Sequence, residues 1–232
     1  MRFCYAQTDA YEDVGGGRVL YSARGFPGFP PRLAVELFER ARQLTGLDRV
    51  GLWDPMCGAG GMVTTVALLR HDNLTRILAS DVNEAALELA AKNLSLTSAK
   101  GLVARRAELL DRSAELERVR SADRLIAMTA GATPPSTAVA RADATDARSV
   151  AALDLHGIHL VMADLPYGQQ TTWGGAPSSA PARCVLETLS GVLRPGTTIV
   201  LITTERDVFR PLPAAARSFK HGRRHIRMYR VA

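Results

Sequence analysis

The residue types with the clearest chemical potential in this sequence form one short segment, Asp164-Leu165-Pro166-Tyr167-Gly168. The segment follows an apolar run at residues 158–163, which is typical of a buried strand in a parallel sheet. Ligands of open α/β sheets bind at the carboxyl ends of the strands, where this segment would lie. Its carboxylate and carbonyl oxygens can accept hydrogen bonds from a base amine while the tyrosine ring stacks on the base. We therefore interpret Asp164, Leu165, Pro166 and Tyr167 as a catalytic turn; a plain strand-ending turn is the alternative.

A second group of residues surrounds a glycine-rich turn that follows a predicted strand at residues 50–53. The turn contains Asp54, Cys57, Gly58 and Gly60 and leads into a predicted helix. Glycines allow a ligand to approach the backbone closely, and a helix N-terminus offers free N–H groups. Two more acids, Asp81 and Asp143, end further predicted strands, where their carboxylates could accept from ribose hydroxyls and from an adenine amine. This ordered set predicts a binding site for an adenosine-containing ligand.

The same turn distinguishes between two classes of cofactor. A dinucleotide fingerprint requires Gly-x-Gly-x-x-Gly, but Val63 occupies the position of the third glycine. Asp54 would repel a pyrophosphate, whereas it suits the ammonium and sulfonium groups of S-adenosylmethionine. We therefore expect S-adenosylmethionine rather than NAD, and no metal ion. Cys57 is expected to contribute backbone contacts, with a nucleophilic thiol as the alternative.

The order of the predicted elements indicates an α/β fold. Strands alternate with helices, which predicts a doubly wound, mostly parallel sheet within a single domain spanning residues 1–232. The pattern adds an N-terminal extension at 1–31 and a charged helical insertion at about 102–136. A helical stripe is expected in the insertion, at Leu109, Leu116, Val119 and Ile126. Residues 217–221 and 225–231 alternate enough to form an antiparallel hairpin at the C-terminal edge.

Positive charge is concentrated at the C-terminal end of the chain. Seven basic residues and no acid follow Val208, and they account for the net charge of +6. A one-sided basic segment is the electrostatic footprint of a polyanion partner, although a charged strand edge is the alternative. The residues predicted to bind RNA are Trp173, Lys220, Arg223, Arg224 and Arg227.

Composition limits the class of protein. The three cysteines are widely spaced, and no apolar run approaches the ~20 residues of a membrane span. The first residues lack the apolar core of a secretory signal. We expect a monomeric cytoplasmic protein that does not bind a membrane.

Six segments together carry a resemblance to a known family. They are Leu20-Tyr21-Ser22-Ala23, Gly25-Phe26-Pro27-Gly28-Phe29-Pro30-Pro31-Arg32-Leu33-Ala34, Leu52-Trp53-Asp54-Pro55-Met56-Cys57-Gly58, Ala79-Ser80-Asp81-Val82, Leu87-Glu88-Leu89-Ala90-Ala91-Lys92-Asn93-Leu94 and Asp164-Leu165-Pro166-Tyr167-Gly168. The sequence resembles class I S-adenosylmethionine-dependent methyltransferases, and most closely the AviRa family of avilamycin-resistance enzymes, which act on a guanine of large-subunit ribosomal RNA. The similarity spans roughly residues 18–205 and fades in the basic C-terminal segment.

The resemblance implies a seven-stranded Rossmann-like methyltransferase sheet and extends the cofactor site. Phe29, Pro30, Val82 and Asp164 would then contact S-adenosylmethionine beside the acids and glycines named above. The expected reaction is methylation of an exocyclic base amine of large-subunit rRNA, with guanine N2 favoured, conferring resistance to a ribosome-targeting antibiotic. Three alternatives stay open: an adenine-N6 methyltransferase of RNA or DNA, an NAD-binding oxidoreductase and an inactive RNA-binding module.

Overall fold

A computed structural model of the chain describes residues 1–7, 10–15, 17–112, 115–166 and 181–232. The strands in these ranges are β1 (Val50–Asp54), β2 (Leu74–Asp81), β3 (Ser136–Arg141), β4 (Ile158–Asp164), β5 (Thr198–Thr203), β6 (Arg217–His221) and β7 (Arg224–Arg230). They form one sheet in the order β3-β2-β1-β4-β5-β7-β6. Strands β1 to β5 are parallel, and β7 runs antiparallel to both β5 and β6. The predicted mostly parallel sheet with an antiparallel C-terminal edge is confirmed.

Helices cover both faces of the sheet. They are α1 (Tyr11–Val14), α2 (Pro31–Thr45), α3 (Gly61–Leu69), α4 (Glu84–Ser95), α5 (Ala99–Asp111), α6 (Leu116–Met128), α7 (Ala147–Ala151) and α8 (Pro181–Val192). Helices α2 and α3 bury residues such as Leu37 and Val63 on one face, where they meet Met162 of β4. Helix α8 buries Leu189 on the other face, against Val161. None of the described helices is both long and apolar enough to cross a membrane.

The central strands match the apolar sequence runs that predict them, because β1 and β5 are buried along their whole length. The sequence predicts a further strand at residues 139–142, whereas the edge strand β3 begins at Ser136 and ends at Arg141. It pairs with β2 along one edge, and all six of its residues are partly exposed or exposed. An edge strand with this polar content lacks the apolar pattern from which strand bounds are predicted.

The insertion consists of two helices, α5 and α6, packed against each other between α4 and β3. Leu109 and Val119 are buried as predicted, but Leu116 is 62% exposed and Ile126 is only partly buried. The prediction of one continuous stripe was wrong at Leu116 because α5 ends at Asp111 and α6 starts anew at Leu116. A helical period does not continue across such a break.

The N-terminal extension is fixed to the rest of the molecule through buried carboxylates. Glu36 of α2 accepts hydrogen bonds from the backbone N–H groups of Cys4, Tyr5 and Ala6 at 2.8–2.9 Å. Burial would raise the pKa of Glu36, but these three donors and Arg40 lower it below its ordinary value. The extension is therefore anchored rather than loosely attached.

Candidate active site

A cleft of about 750 Å³ opens at the carboxyl edge of the sheet, where the strand order reverses between β1 and β4. It is lined by most of the residues that the sequence assigns to the cofactor and to catalysis. These are Phe29, Pro30, Asp54, Cys57, Gly58, Asp81, Val82, Asp143, Asp164, Leu165 and Pro166. Tyr167 and Trp173 lie outside the described residues.

Three carboxylates meet at the centre of this cleft. Asp54 ends β1 and is 2% exposed, and its carboxylate accepts a hydrogen bond from the backbone N–H of Met56 at 3.1 Å. Burial raises the pKa of Asp54 well above its ordinary value, and the nearby charges of Asp81 and Asp164 raise it further. A ligand that carries positive charge would relieve this repulsion, while a pyrophosphate would increase it. These three carboxylates therefore fit the ammonium and sulfonium groups of S-adenosylmethionine.

The glycine turn after β1 is shaped by left-handed backbone at Gly58 and Gly60, with φ values of 49° and 71°. The Gly58 N–H donates to the Asp81 carboxylate at 2.8 Å, which fixes that acid at the end of β2. Gly60 is not among the described residues that line the cleft. A Cβ atom there would lie 3.1 Å from Ala90, so Gly60 permits α3 to pack closely on α4. Its assignment to the cofactor stays a prediction, and its visible role is packing.

Cys57 is buried in the same turn, where its backbone N–H donates to the Ser80 carbonyl at 3.0 Å. Burial raises the pKa of its thiol well above the ordinary value, and the negative charges of Asp54 and Asp81 raise it further. Because the thiolate is the nucleophilic form of cysteine, this environment disfavours covalent catalysis at Cys57. The backbone contact of Cys57 with the cofactor stays a prediction, since its N–H is bonded to Ser80.

One further acid, Asp143, and the turn after Asp164 complete the edge of the cleft. Asp143 follows β3, and its carboxylate accepts from the backbone N–H and the hydroxyl of Thr145 at 2.8 and 2.6 Å. After Asp164, the Leu165 N–H donates to the Ile202 carbonyl of β5 at 2.8 Å, which ties the catalytic turn to the sheet. Leu165 is fully buried, whereas Pro166 is partly exposed. Of these two residues, Pro166 has surface available to a bound base.

Part of the N-terminal extension forms a cleft wall, in which Phe29 and Pro30 were assigned to the cofactor and residues 17–22 were not. Gly17, Leu20, Tyr21 and Ser22 line the cleft in addition to residues 25–31. Residues of the insertion hold this wall: Arg105 donates to the Val19 carbonyl at 2.8 Å, and the Tyr21 hydroxyl donates to Glu108 at 3.0 Å.

Asn93 of α4 joins this wall to the glycine turn. Its Oδ1 accepts from the Tyr21 N–H at 2.8 Å, and its Nδ2 donates to the carbonyls of Tyr21 at 3.0 Å and Ala59 at 2.8 Å. Asn93 is completely buried. No local sequence pattern could predict this role of Asn93, because Tyr21 and Asn93 lie 72 positions apart.

The predicted basic residues do not form one patch. Lys220 and Arg223 are exposed at the tip of the β6–β7 hairpin, and the Arg224 guanidinium lies 5.2 Å from the ring centroid of Phe29. Arg227 instead lies on the opposite face of β7, where it donates to the Phe209 carbonyl at 3.0 Å. Successive residues of a strand point to opposite faces, so Arg224 and Arg227, three positions apart, lie on different faces of β7.

Comparison with known proteins gives consistent matches. A family model described as rRNA methyltransferase AviRa matches residues 1–224. A "23S rRNA (guanine(2535)-N(1))-methyltransferase" of Streptomyces viridochromogenes is 40% identical over 215 residues, which cover 88% of this chain and 83% of the relative. The structure titled rRNA methyltransferase aviRa from the same organism matches with a TM-score of 0.89 at 36% identity, over 100% of this chain and 97% of the other. A putative methyltransferase yhhF from Escherichia coli shares the fold, with a TM-score of 0.52 at 14% identity over 89% of each chain.

These matches extend the predicted similarity and alter one of its details. The similarity does not stop near residue 205, because the family model continues into the β6–β7 hairpin. The relative is named for guanine N1, a ring nitrogen, whereas the catalytic turn was expected to present an exocyclic amine. N1 and N2 are adjacent on the same edge of guanine, so a turn that grips this edge does not select between them.

Proposed function

Because this chain belongs to the AviRa family of rRNA methyltransferases, we propose that it transfers a methyl group from S-adenosylmethionine to N1 of a guanine in 23S rRNA. The choice of 23S rRNA and of N1 follows the name of the relative that is 40% identical. The choice of cofactor is supported by the acidic cleft, whose size suits a nucleoside with an attached amino acid. The convergence of Asp54, Asp81 and Asp164 beside the glycine turn is the observation that carries this proposal.

Asp164 is the residue that we assign to the target base. S-adenosylmethionine supplies a methyl group on a positively charged sulfur, which departs with the electron pair of the broken bond. Guanine N1 carries a hydrogen, and its lone pair is delocalised into the ring. The Asp164 carboxylate accepts a hydrogen bond from the N1–H group of the guanine. It removes this proton as the bond between N1 and the methyl carbon forms, which is general-base catalysis. The proton then passes from Asp164 to water after the product leaves.

The residues around the target have positioning roles in this proposal. The carbonyl of Pro166 accepts from the neighbouring N2 amine, and Tyr167 stacks on the base once it has left the RNA stack. Holding two reactants in line contributes up to ~7–11 kcal/mol to the rate acceleration of such reactions.

Antibiotic resistance is the corresponding proposal for the cell. Expression of this chain in a sensitive bacterium should raise the concentration of avilamycin needed to stop growth.

The decisive experiment incubates the purified chain with a 23S rRNA fragment and isotope-labelled S-adenosylmethionine, followed by mass spectrometry of the nucleosides. We expect 1-methylguanosine. N2-methylguanosine would overturn the choice of N1, and N6-methyladenosine would favour the adenine alternative.

The role of Asp164 is tested with the variant Asp164→Asn in single-turnover assays. We expect a rate loss of about 10²–10⁴, the usual contribution of a general base, with cofactor affinity within a few-fold of wild type. The exposed Asp72 lies before β2, away from the cleft, so Asp72→Asn is the matched control. A rate for Asp164→Asn equal to that of the control would remove Asp164 from the mechanism.

A further inference from the structure

A second depression lies apart from the cofactor cleft and shares no lining residue with it. It has a volume of about 270 Å³ and is lined by Arg206, Asp207, Arg210 and Arg227. Three of these four side chains are guanidinium groups, and Asp207 adds one negative charge. Arg206 and Arg210 come from the turn of 3₁₀ helix at Arg206–Phe209 and its C-cap, while Arg227 comes from β7.

Arg227 is fixed in place before any ligand arrives. Its Nη1 donates to the Phe209 carbonyl at 3.0 Å, and its guanidinium lies 5.0 Å from the ring centroid of Phe209. One of the five N–H donors of the side chain is used in this bond, so others can reach an anion. A guanidinium that is already ordered loses less entropy when it binds.

Arg210 is held more loosely. Its Nε lies 2.9 Å from the Asp207 carboxylate, but both side chains are mostly exposed, so this ion pair contributes little. Arg210 can therefore turn towards a bound anion at small cost, and Arg206 is exposed beside it. Arginine suits a phosphate because its planar N–H groups match two phosphate oxygens at once.

The register of the sheet places this depression near the catalytic turn. Arg227 pairs with Leu201 of β5, and Leu201 pairs with Ala163 of β4, which directly precedes Asp164. Two strand spacings therefore separate Arg227 from the end of β4, a lateral distance of about 10 Å. The 3₁₀ turn also follows the carboxyl end of β5, so the depression opens at the same edge of the sheet as the cleft.

We infer that Arg206, Arg210 and Arg227 form a binding site for one phosphodiester group of the RNA that presents the target base. The inference rests on the proposed function, since it assigns a docking point to that substrate. It also gives Arg227 a different role from the hairpin residues Lys220 and Arg223, which lie at the hairpin tip. A phosphate held here fixes the position of the RNA backbone relative to Asp164, while base contacts choose the nucleotide.

The test measures binding of a 23S rRNA fragment to Arg206→Gln, Arg210→Gln and the double variant over a range of salt concentrations. Losing one phosphate contact should flatten the slope of log affinity against log salt by about 1 and weaken binding several-fold. The matched control is Arg194→Gln, because Arg194 is exposed in the turn before β5, at the opposite edge of the sheet. Affinity for S-adenosylmethionine should be unchanged in all of these variants.

A chemical readout separates the RNA backbone from free phosphate. Neutral methylphosphonate linkages are placed one at a time around the target guanine, and one position should weaken binding to the wild type but not to the double variant. Inorganic phosphate should compete only weakly. The phosphate site would be overturned if the arginine variants had the same rRNA affinity and salt slope as Arg194→Gln, and if every methylphosphonate linkage affected them as it affects the wild type. If the wild-type chain neither binds nor methylates the rRNA fragment, the proposed function itself fails.

Discussion

Asp54 is the residue whose charge state depends most on what the cleft contains. Its pKa is raised well above the ordinary value of an aspartate, because it is buried and because the charges of Asp81 and Asp164 lie nearby. This raised pKa makes the stability of the folded protein depend on pH. As pH rises from the ordinary pKa of an aspartate towards the raised one, the folded state must release a proton that the unfolded chain has already lost, and stability falls.

Between the ordinary and the raised pKa of Asp54, cofactor binding should therefore release a proton from this residue. The ammonium and sulfonium charges stabilise the ionised carboxylate, so we expect affinity for S-adenosylmethionine to increase with pH across this interval. Calorimetric titration in buffers with different ionisation enthalpies measures the number of protons released. Asp54→Asn should abolish the release and flatten the pH profile, while Asp72→Asn should behave as the wild type. An unchanged profile in Asp54→Asn would assign the proton to another group.

At the scale of elements, Asn93 of helix α4 links the N-terminal wall of the cofactor cleft to the glycine turn. Replacing it with alanine leaves the N–H and carbonyl of Tyr21 and the carbonyl of Ala59 without their partner. An unsatisfied buried group costs about 1–3 kcal/mol, and less where it is partly exposed as here, because displacement of the N-terminal wall lets water reach it.

We expect Asn93→Ala to raise the KM for S-adenosylmethionine about tenfold or more and to change kcat much less. Asn73→Ala is the matched control, since Asn73 donates to the Asp48 carbonyl at the opposite edge of the sheet. A general loss of stability would reduce the amount of active enzyme, whereas a positioning role changes KM selectively. Equal KM values in the two variants would show that Asn93 does not position the cleft wall.

The strand ends of the site could be predicted from sequence alone, whereas part of the N-terminal wall could not. The acids at the ends of β1, β2 and β4 were placed correctly because an apolar run followed by an acid predicts where a buried parallel strand ends. Phe29 and Pro30 of the N-terminal wall were assigned to the cofactor, but residues 17–22 were missed because their position depends on Asn93 and Arg105, whose partners lie 72 and 86 positions away. The insertion was recognised as charged, but the bonds of its arginines to backbone carbonyls have no local pattern.

At the scale of the whole molecule, the exposed charges of the hairpin tip lie at the same edge as the cleft. Removing Lys220 and Arg223 together by substitution with glutamine should weaken rRNA binding and flatten its salt dependence, by about 1–2 in slope if both meet phosphates. Arg224 is left intact because it contacts Phe29 in the cleft wall. Filter-binding curves at several salt concentrations measure the effect.

The control for this prediction removes the same amount of charge elsewhere. Lys100 and Arg194 are both exposed and lie towards the opposite edge of the sheet, so the pair Lys100→Gln and Arg194→Gln tests net charge alone. Identical slopes for the two double variants would mean that the hairpin charges serve solubility. Cofactor affinity should be normal in both.

The position of β1 has a consequence for synthesis of the protein. β1 is the first strand among the described residues, yet it lies inside the sheet between β2 and β4, and β4 supplies a partner residue 108 positions later. Contacts between residues so distant in sequence slow folding. A growing chain therefore carries an open, apolar strand edge until β4 has left the ribosome, and such edges favour aggregation. Slower translation between β2 and β4 should lengthen this exposure, so the yield of folded enzyme depends on elongation rate across the insertion.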